Sequence, residues 1–138
     1  MKKAPDKTTH LIIGKGEVGK SLYNVLEPHY DVSIRDIDGG EEGYKDVLHI
    51  CYPPSENFVS ATQAYIKEYT PNLVIIHSTV PVGTTQAVGD SAVHSPIRGV
   101  HPNLDKGIKT FVKYFGGKKA EEAAALFSNI GIPAKVFT

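Results

Sequence analysis

The stretch Leu11-Ile12-Ile13-Gly14-Lys15-Gly16-Glu17-Val18-Gly19-Lys20-Ser21-Leu22 decides the fold: a short apolar run, a G-x-G-x-x-G turn and the start of an amphipathic helix. A strand that ends in glycine and opens straight into a helix aims free backbone N–H groups, and the positive end of the helix dipole, at one point. A pyrophosphate fits there. Each glycine answers a steric demand, since Gly14 allows the tight turn, Gly16 lets a ligand approach the backbone, and Gly19 lets helix and strand pack closely. The second half of such a fingerprint is an acidic residue roughly 20 positions on, at the end of the next strand. Asp31-Val32-Ser33-Ile34-Arg35-Asp36 supplies it. Asp36 can accept hydrogen bonds from adenosine ribose hydroxyls and repels a 2′-phosphate, which favours NAD over NADP, while the adjoining Arg35 weakens that preference. Glycine turns also serve mononucleotide and S-adenosylmethionine binders, and some bind nothing, so strand, helix and Asp36 together carry the reading.

With 138 residues, 41% of them apolar, the chain is long enough for one well-buried core and too short for two ordinary domains. Lysines and arginines balance aspartates and glutamates at 15 each, without a basic run, which argues against nucleic acid or an anionic membrane as the main partner. A small anionic cofactor needs no net positive charge. The single cysteine excludes an internal disulfide framework and suits a reducing compartment. No apolar stretch of secretory or membrane-spanning length is visible, so a cytoplasmic location is expected.

Strand-like runs alternate with helical periodicities along the whole chain, the rhythm of an α/β domain. Strands are expected at about Thr9 to Ile13, Asp31 to Arg35, Val47 to Cys51, Leu73 to His77, Ala92 to Ser95, Phe111 to Phe115 and Ala134 to Phe137. Val18, Leu22, Val25 and Leu26 mark one helical face, Phe58, Thr62, Tyr65, Ile66 and Tyr69 a second, and Ala120, Ala123, Ala124, Phe127 and Ile130 a third. The expected fold class is a doubly wound, mostly parallel Rossmann-type sheet with helices on both faces.

In such a sheet ligands lie outside the carboxyl ends of the strands. After the third strand, Cys51-Tyr52-Pro53-Pro54-Ser55-Glu56 holds two prolines that stiffen the turn and a serine, Ser55, suited to cap the next helix. Cys51 reads as a buried strand residue rather than a nucleophile, since no cation or histidine flanks it. After the fourth strand, Ser78 and Thr79 can hydrogen-bond a nicotinamide carboxamide or a substrate hydroxyl, or serve the turn itself, and Thr84 or Thr85 is expected to cap a helix. Cofactor contacts are thus expected from Gly14, Gly16, Glu17, Val18 and Gly19, from Asp36, from Tyr52 and Pro53, and from Ser78 and Thr79. His77, His94 and His101 match no metal-ligand spacing, and no metal is expected.

Ser78-Thr79-Val80-Pro81-Val82-Gly83-Thr84 resembles a motif of the nucleotide-sugar dehydrogenases that oxidise UDP-glucose or GDP-mannose, and Tyr114-Phe115-Gly116-Gly117 with its alanine-rich helix is similar to the tail of the same cofactor domain. The resemblance covers most of the chain at the level of a superfamily that includes 6-phosphogluconate and 3-hydroxyacid dehydrogenases. It implies NAD as cofactor and hydride removal from a hydroxyl of a sugar nucleotide or small hydroxy acid. The chain departs from that family where Ser95-Pro96 is followed by Ile97 and Arg98 instead of a glutamate. The family's nucleophilic cysteine lies in a second, helical domain that residues 1–138 do not contain. Arg98-Gly99-Val100-His101-Pro102-Asn103 instead resembles, in its Gly-x-His-Pro part, the loop of prephenate and arogenate dehydrogenases that carries a catalytic histidine. That resemblance implies that His101 takes the hydroxyl proton and Ser78 orients the substrate, although Thr79, Val80 and Pro81 follow Ser78 where those enzymes have a valine and usually a lysine. Thr79 is a further catalytic candidate, and Arg98, by its guanidinium fork, is suited to hold a carboxylate. The other readings are a loop histidine packed on Pro102, a solvated Arg98, and a dinucleotide-binding module without catalysis. Apolar surface on the last elements is expected to seek a second copy or a separate substrate-domain chain.

Overall fold

A computed structural model describes residues 8–40, 42–97 and 104–137. Seven strands form one sheet, β1 (Thr9–Ile13), β2 (Asp31–Arg35), β3 (Val47–Ile50), β4 (Leu73–Ile76), β5 (Ala92–His94), β6 (Lys113–Gly116) and β7 (Ala134–Phe137). Five helices connect them: α1 (Glu17–Leu26), α2 (Phe58–Tyr69), α3 (Thr84–Val88), α4 (Leu104–Thr110) and α5 (Ala120–Ser128). The spatial order is β2-β1-β3-β4-β5-β6-β7, parallel throughout except where β6 meets β5. This is the doubly wound, mostly parallel sheet expected from the alternating pattern. Among the described residues, no helix is long and apolar enough to cross a membrane.

Period-two alternation divides each strand between two covered faces. Leu11, Ile13, Leu48, Ile50, Val74 and Ile76 point to one, beneath Phe58 and Tyr69 of α2 and Val88 of α3. Ile12, Val47, Leu73, Ile75, Val93 and Phe115 point to the other, where Leu22, Val25 and Leu26 of α1, Leu104 and Ile108 of α4, and Phe127 of α5 close over them. A parallel sheet buried on both faces needs such near-continuous apolar runs.

Several local expectations are corrected. The sixth strand begins two residues later than expected, because Phe111 closes the last turn of α4 through its N–H to the Gly107 carbonyl and remains 46% exposed. Helix α4 itself was not anticipated. The first residue of α3 is Thr84, so Gly83 stands at its N-cap, and Asn57 rather than Ser55 precedes α2; neither helix has a side-chain cap.

Candidate functional site

The chain builds β2 to one side of β1 and then crosses to place β3 on the other. That reversal makes the carboxyl ends of β1 and β3 the crevice where ligands of doubly wound sheets bind. Backbone bonds fix its rim: Gly14 N–H donates to the Arg35 carbonyl at 2.9 Å, Cys51 N–H to Ile13 at 3.0 Å and His77 N–H to Ile50 at 2.9 Å. The loops after β1, β2, β3 and β4 therefore lie side by side.

The glycine turn meets all three steric demands. Gly14 has φ +119°, and a Cβ there would stand 3.0 Å from the Cys51 and Tyr52 backbone. A Cβ on Gly19 would stand 1.8 Å from the Gly14 carbonyl oxygen, so only glycine lets α1 start this close to β1. A Cβ on Gly16 would meet no protein atom within 4 Å, leaving the approach to the backbone open. No side chain caps α1, whose N-cap is Gly16, and its first-turn amides have no intrahelical acceptor. An anionic pyrophosphate fits these donors. Lys15, Gly16 and Glu17 are exposed, Val18 is half-buried and Gly19 is buried.

Asp36 directly follows β2 as an exposed residue, with one carboxylate oxygen accepting from Ile37 N–H at 3.0 Å. Arg35, expected from sequence to weaken the preference set by Asp36, is buried beside it. Its guanidinium turns inward, donating to the Asp36 carbonyl at 2.7 Å, the Tyr69 hydroxyl at 2.9 Å and the Ile37 carbonyl at 3.2 Å, above the Tyr65 ring. Tyr52 is half-buried against Phe58 and Tyr65, its hydroxyl bonded to Thr62, and burial pushes its pKa up to about 12; the following Pro53 is exposed at the rim. Ser78 is buried and donates its hydroxyl proton to the Tyr52 carbonyl, tying the β3 and β4 loops together, while Thr79 is exposed beside it. Cys51, just past β3, is half-buried against the core, and desolvation pushes its thiol up to about 12. Arg98 and His101 lie outside the described residues.

Beneath this rim the sheet holds a feature that sequence reasoning missed. His10 of β1, His49 of β3 and His77 just beyond β4 are buried on one face, joined His10 Nδ1 to His49 Nε2 at 2.9 Å and His49 Nδ1 to His77 Nε2 at 2.8 Å. Their rings stack, with Tyr30 on His10 and the edge of Phe127 against His49. Burial holds His49 and His77 well below the ordinary imidazole range, and Lys113 adds to the effect. Lys113 is itself buried on β6, its ammonium nitrogen 2.8 Å from the Ser95 carbonyl and near the Phe115 and Phe127 rings, and burial lowers its pKa to about 7. His94 points away from this row and bonds the Ser78 carbonyl at 3.0 Å. Among the described residues no His, Cys, Asp and Glu group is arranged to hold a metal.

No protein-family model matches the chain, and no curated protein matches by sequence. Solved structures do match. UDP-D-ManNAc dehydrogenase from Pyrococcus horikoshii aligns at TM-score 0.72 and 17% identity, covering 94% of this chain and 46% of that one. Prephenate dehydrogenase from A. aeolicus, in complex with hydroxyphenyl propionate and NAD+, aligns at TM-score 0.72 and 13% identity over 99% of this chain and 62% of its own. Mycobacterium tuberculosis 3-hydroxyisobutyrate dehydrogenase aligns at TM-score 0.74 and 17% identity, over 95% and 54% respectively. The chain thus spans less than two thirds of each. The likeness is one of fold, and it includes both enzyme groups whose motifs the sequence resembles.

Proposed function

We propose that this chain binds NAD at the β1–β3 crevice and serves as the cofactor domain of an oxidoreductase that removes hydride from a hydroxyl-bearing carbon of a sugar nucleotide or small hydroxy acid. The observation that carries the reading is the glycine turn at the chain reversal, with Gly19 pressed on Gly14, open space before Gly16 and Asp36 exposed at the end of β2. In this reading the α1 amides and the backbone at Gly16 hold the pyrophosphate, with Glu17 and Val18 in the same turn. Asp36 accepts from the ribose hydroxyls and repels a 2′-phosphate, while the Arg35 guanidinium is turned inward onto Tyr69 and the Asp36 and Ile37 carbonyls. Tyr52 and Pro53 wall the crevice, and Thr79, exposed where Ser78 is buried, is the better placed of the two hydroxyls to meet the nicotinamide or the substrate.

NAD, when bound, supplies the hydride acceptor. His101 takes the substrate hydroxyl proton, the role that the Gly-x-His-Pro resemblance gives it, and the guanidinium fork of Arg98 holds a substrate carboxylate. The substrate-covering surface comes from a further domain, a second copy or another chain, a reading favoured by relatives of the fold that are about twice as long.

Calorimetric titration with NAD+, NADH, NADP+ and S-adenosylmethionine tests the cofactor. NAD+ or NADH is expected to bind in preference to NADP+, and Asp36→Ala to weaken that binding about ten- to a hundredfold while closing the gap to NADP+. Equal affinity for NADP+ in the unaltered protein, or binding of S-adenosylmethionine alone, overturns the proposal.

A further inference from the structure

We infer that His10, His49 and His77 form a proton conduit through the sheet, which carries the proton of the dehydrogenation from the carboxyl edge at β4 to Thr8 at the opposite edge. The inference rests on the dehydrogenase reading above. The three rings step diagonally across adjacent strands: His10 is the second residue of β1, His49 the third of β3, and His77 directly follows β4 and precedes Ser78. Beyond His10, its Nε2 lies 3.1 Å from the hydroxyl of half-buried Thr8.

The linkage has the chemistry a conduit needs. Each joint pairs the Nδ1 of one ring with the Nε2 of the next, so every imidazole can take a proton on one nitrogen and release one from the other. Begin with all three rings protonated at Nε2. A proton arriving at His77 Nδ1 lets His77 pass its Nε2 proton to His49 Nδ1, His49 pass its own to His10 Nδ1, and His10 release one at Thr8. One proton enters, one leaves, and all three rings end as the Nδ1 tautomer. Oxidation of an alcohol by NAD+ gives the carbonyl compound, NADH and the one proton that this sequence removes; reduction runs it backwards.

The two ends of the row differ. His77 Nδ1 and Ser95 Oγ, at neighbouring strand ends, are both buried and have no hydrogen-bond partner among the described residues. This ring nitrogen, with the Ser95 backbone beside it, stands at the ligand-facing edge, where a proton enters the row. The Lys113 ammonium on the same side of the sheet keeps His49 and His77 neutral between transfers and Cys51 is held as a thiol, while the Asp46 carboxylate attracts a proton toward His10 at the outer end.

Ring N–H exchange, followed by NMR on the full 15N-labelled chain without cofactor, tests the conduit. The His77 ring proton is expected to exchange with solvent at least about tenfold faster than the Ile75 amide, and to slow toward that amide in His49→Gln. His10→Phe, at the outer end of the row, is expected to slow it likewise should His49→Gln fail to fold. A His77 ring proton that exchanges in step with Ile75, or at an unchanged rate in a folded variant, overturns the conduit. Addition of NAD+ then tests its link to the site: the His77 ring 15N shift is expected to move, with His10 following in the unaltered protein but not in His49→Gln. NAD+ that binds without moving His77 overturns that link. NAD+ that does not bind overturns the dehydrogenase reading instead, and the exchange rates still decide the conduit.

Discussion

The two faces of the sheet solve the same burial problem with different residues. Under α2 and α3 the strands present only apolar side chains at the centre, Leu11, Ile13, Leu48, Ile50, Val74 and Ile76. Under α1, α4 and α5 the equivalent rows interleave His10, His49, His77 and Lys113 with Ile12, Ile75 and Phe115. An apolar face contributes stability that hardly varies with pH, whereas a face of buried bases ties stability to proton concentration. The polar row persists because each imidazole bonds the next, which replaces most of the hydration lost on burial. The contrast places the histidine row and the lysine that titrates near neutrality on one side of the sheet.

Replacing Lys113 gives the largest expected effect. Its pKa falls from 10.5 to about 7 on folding, so between those values the unfolded chain binds more protons and stability rises with pH. The gain is about 1.4 kcal/mol per pH unit and roughly 5 kcal/mol across the window; below it both states are protonated and the full cost of burying the charge stands. Lys113→Met is expected to flatten that slope in urea titrations run from pH 7 to 10.5. An unchanged slope would mean that the ammonium escapes to solvent in the folded chain.

A second change breaks the row at its centre. His49 and His77 have folded pKa values well below their ordinary 6.5, so their stability is complete above that pH and falls as acid protonates the unfolded chain. Each contributes a loss of up to about 1.4 kcal/mol per pH unit from 6.5 down to its lowered folded value, below which the loss levels off. His49→Met removes one such contribution, so its acid limb is expected to be shallower by that amount. At pH 8 the variant is expected to be less stable than the unaltered protein by about 2 kcal/mol, because both neighbouring rings lose a partner. Equal acid limbs would show that His49 is not the buried base described.

The smallest effect belongs to the other face. Thr70 ends α2 in the left-handed region with φ +47°, a conformation costly for a β-branched residue. Thr70→Gly is expected to raise stability by about 1 kcal/mol, and by the same increment at pH 5 and pH 8. An increment that depends on pH would blur the distinction between the faces.

Legibility in the sequence follows the same division. Strands β1, β2 and β7 fall where their runs predict, since alternation and flanking turns are local signals. The glycine turn was equally legible, because its three glycines fall within six residues of chain. Helix α4 was not: seven residues with Gly107 at their centre have weak helical propensity, and its apolar Leu104 and Ile108 gain meaning only against α1. Lys113 reads as a solvent-facing residue until β6 is paired. The imidazole row was invisible because its partners stand 39 and 28 positions apart, and a lone histidine in a strand announces no neighbour. The inward turn of Arg35 was illegible for a related reason, since its acceptors include Tyr69, 34 positions away.

The contact between Gly19 and the Gly14 carbonyl also bears on how this chain tolerates diversification. The obstacle to a side chain at position 19 is main-chain oxygen, 1.8 Å from where Cβ would stand. No second-site exchange of side chains can make room for it. A saturation library over the turn should therefore recover many residues at Lys15 and Glu17, both exposed, and glycine alone at 19, in selections for folding with no cofactor present.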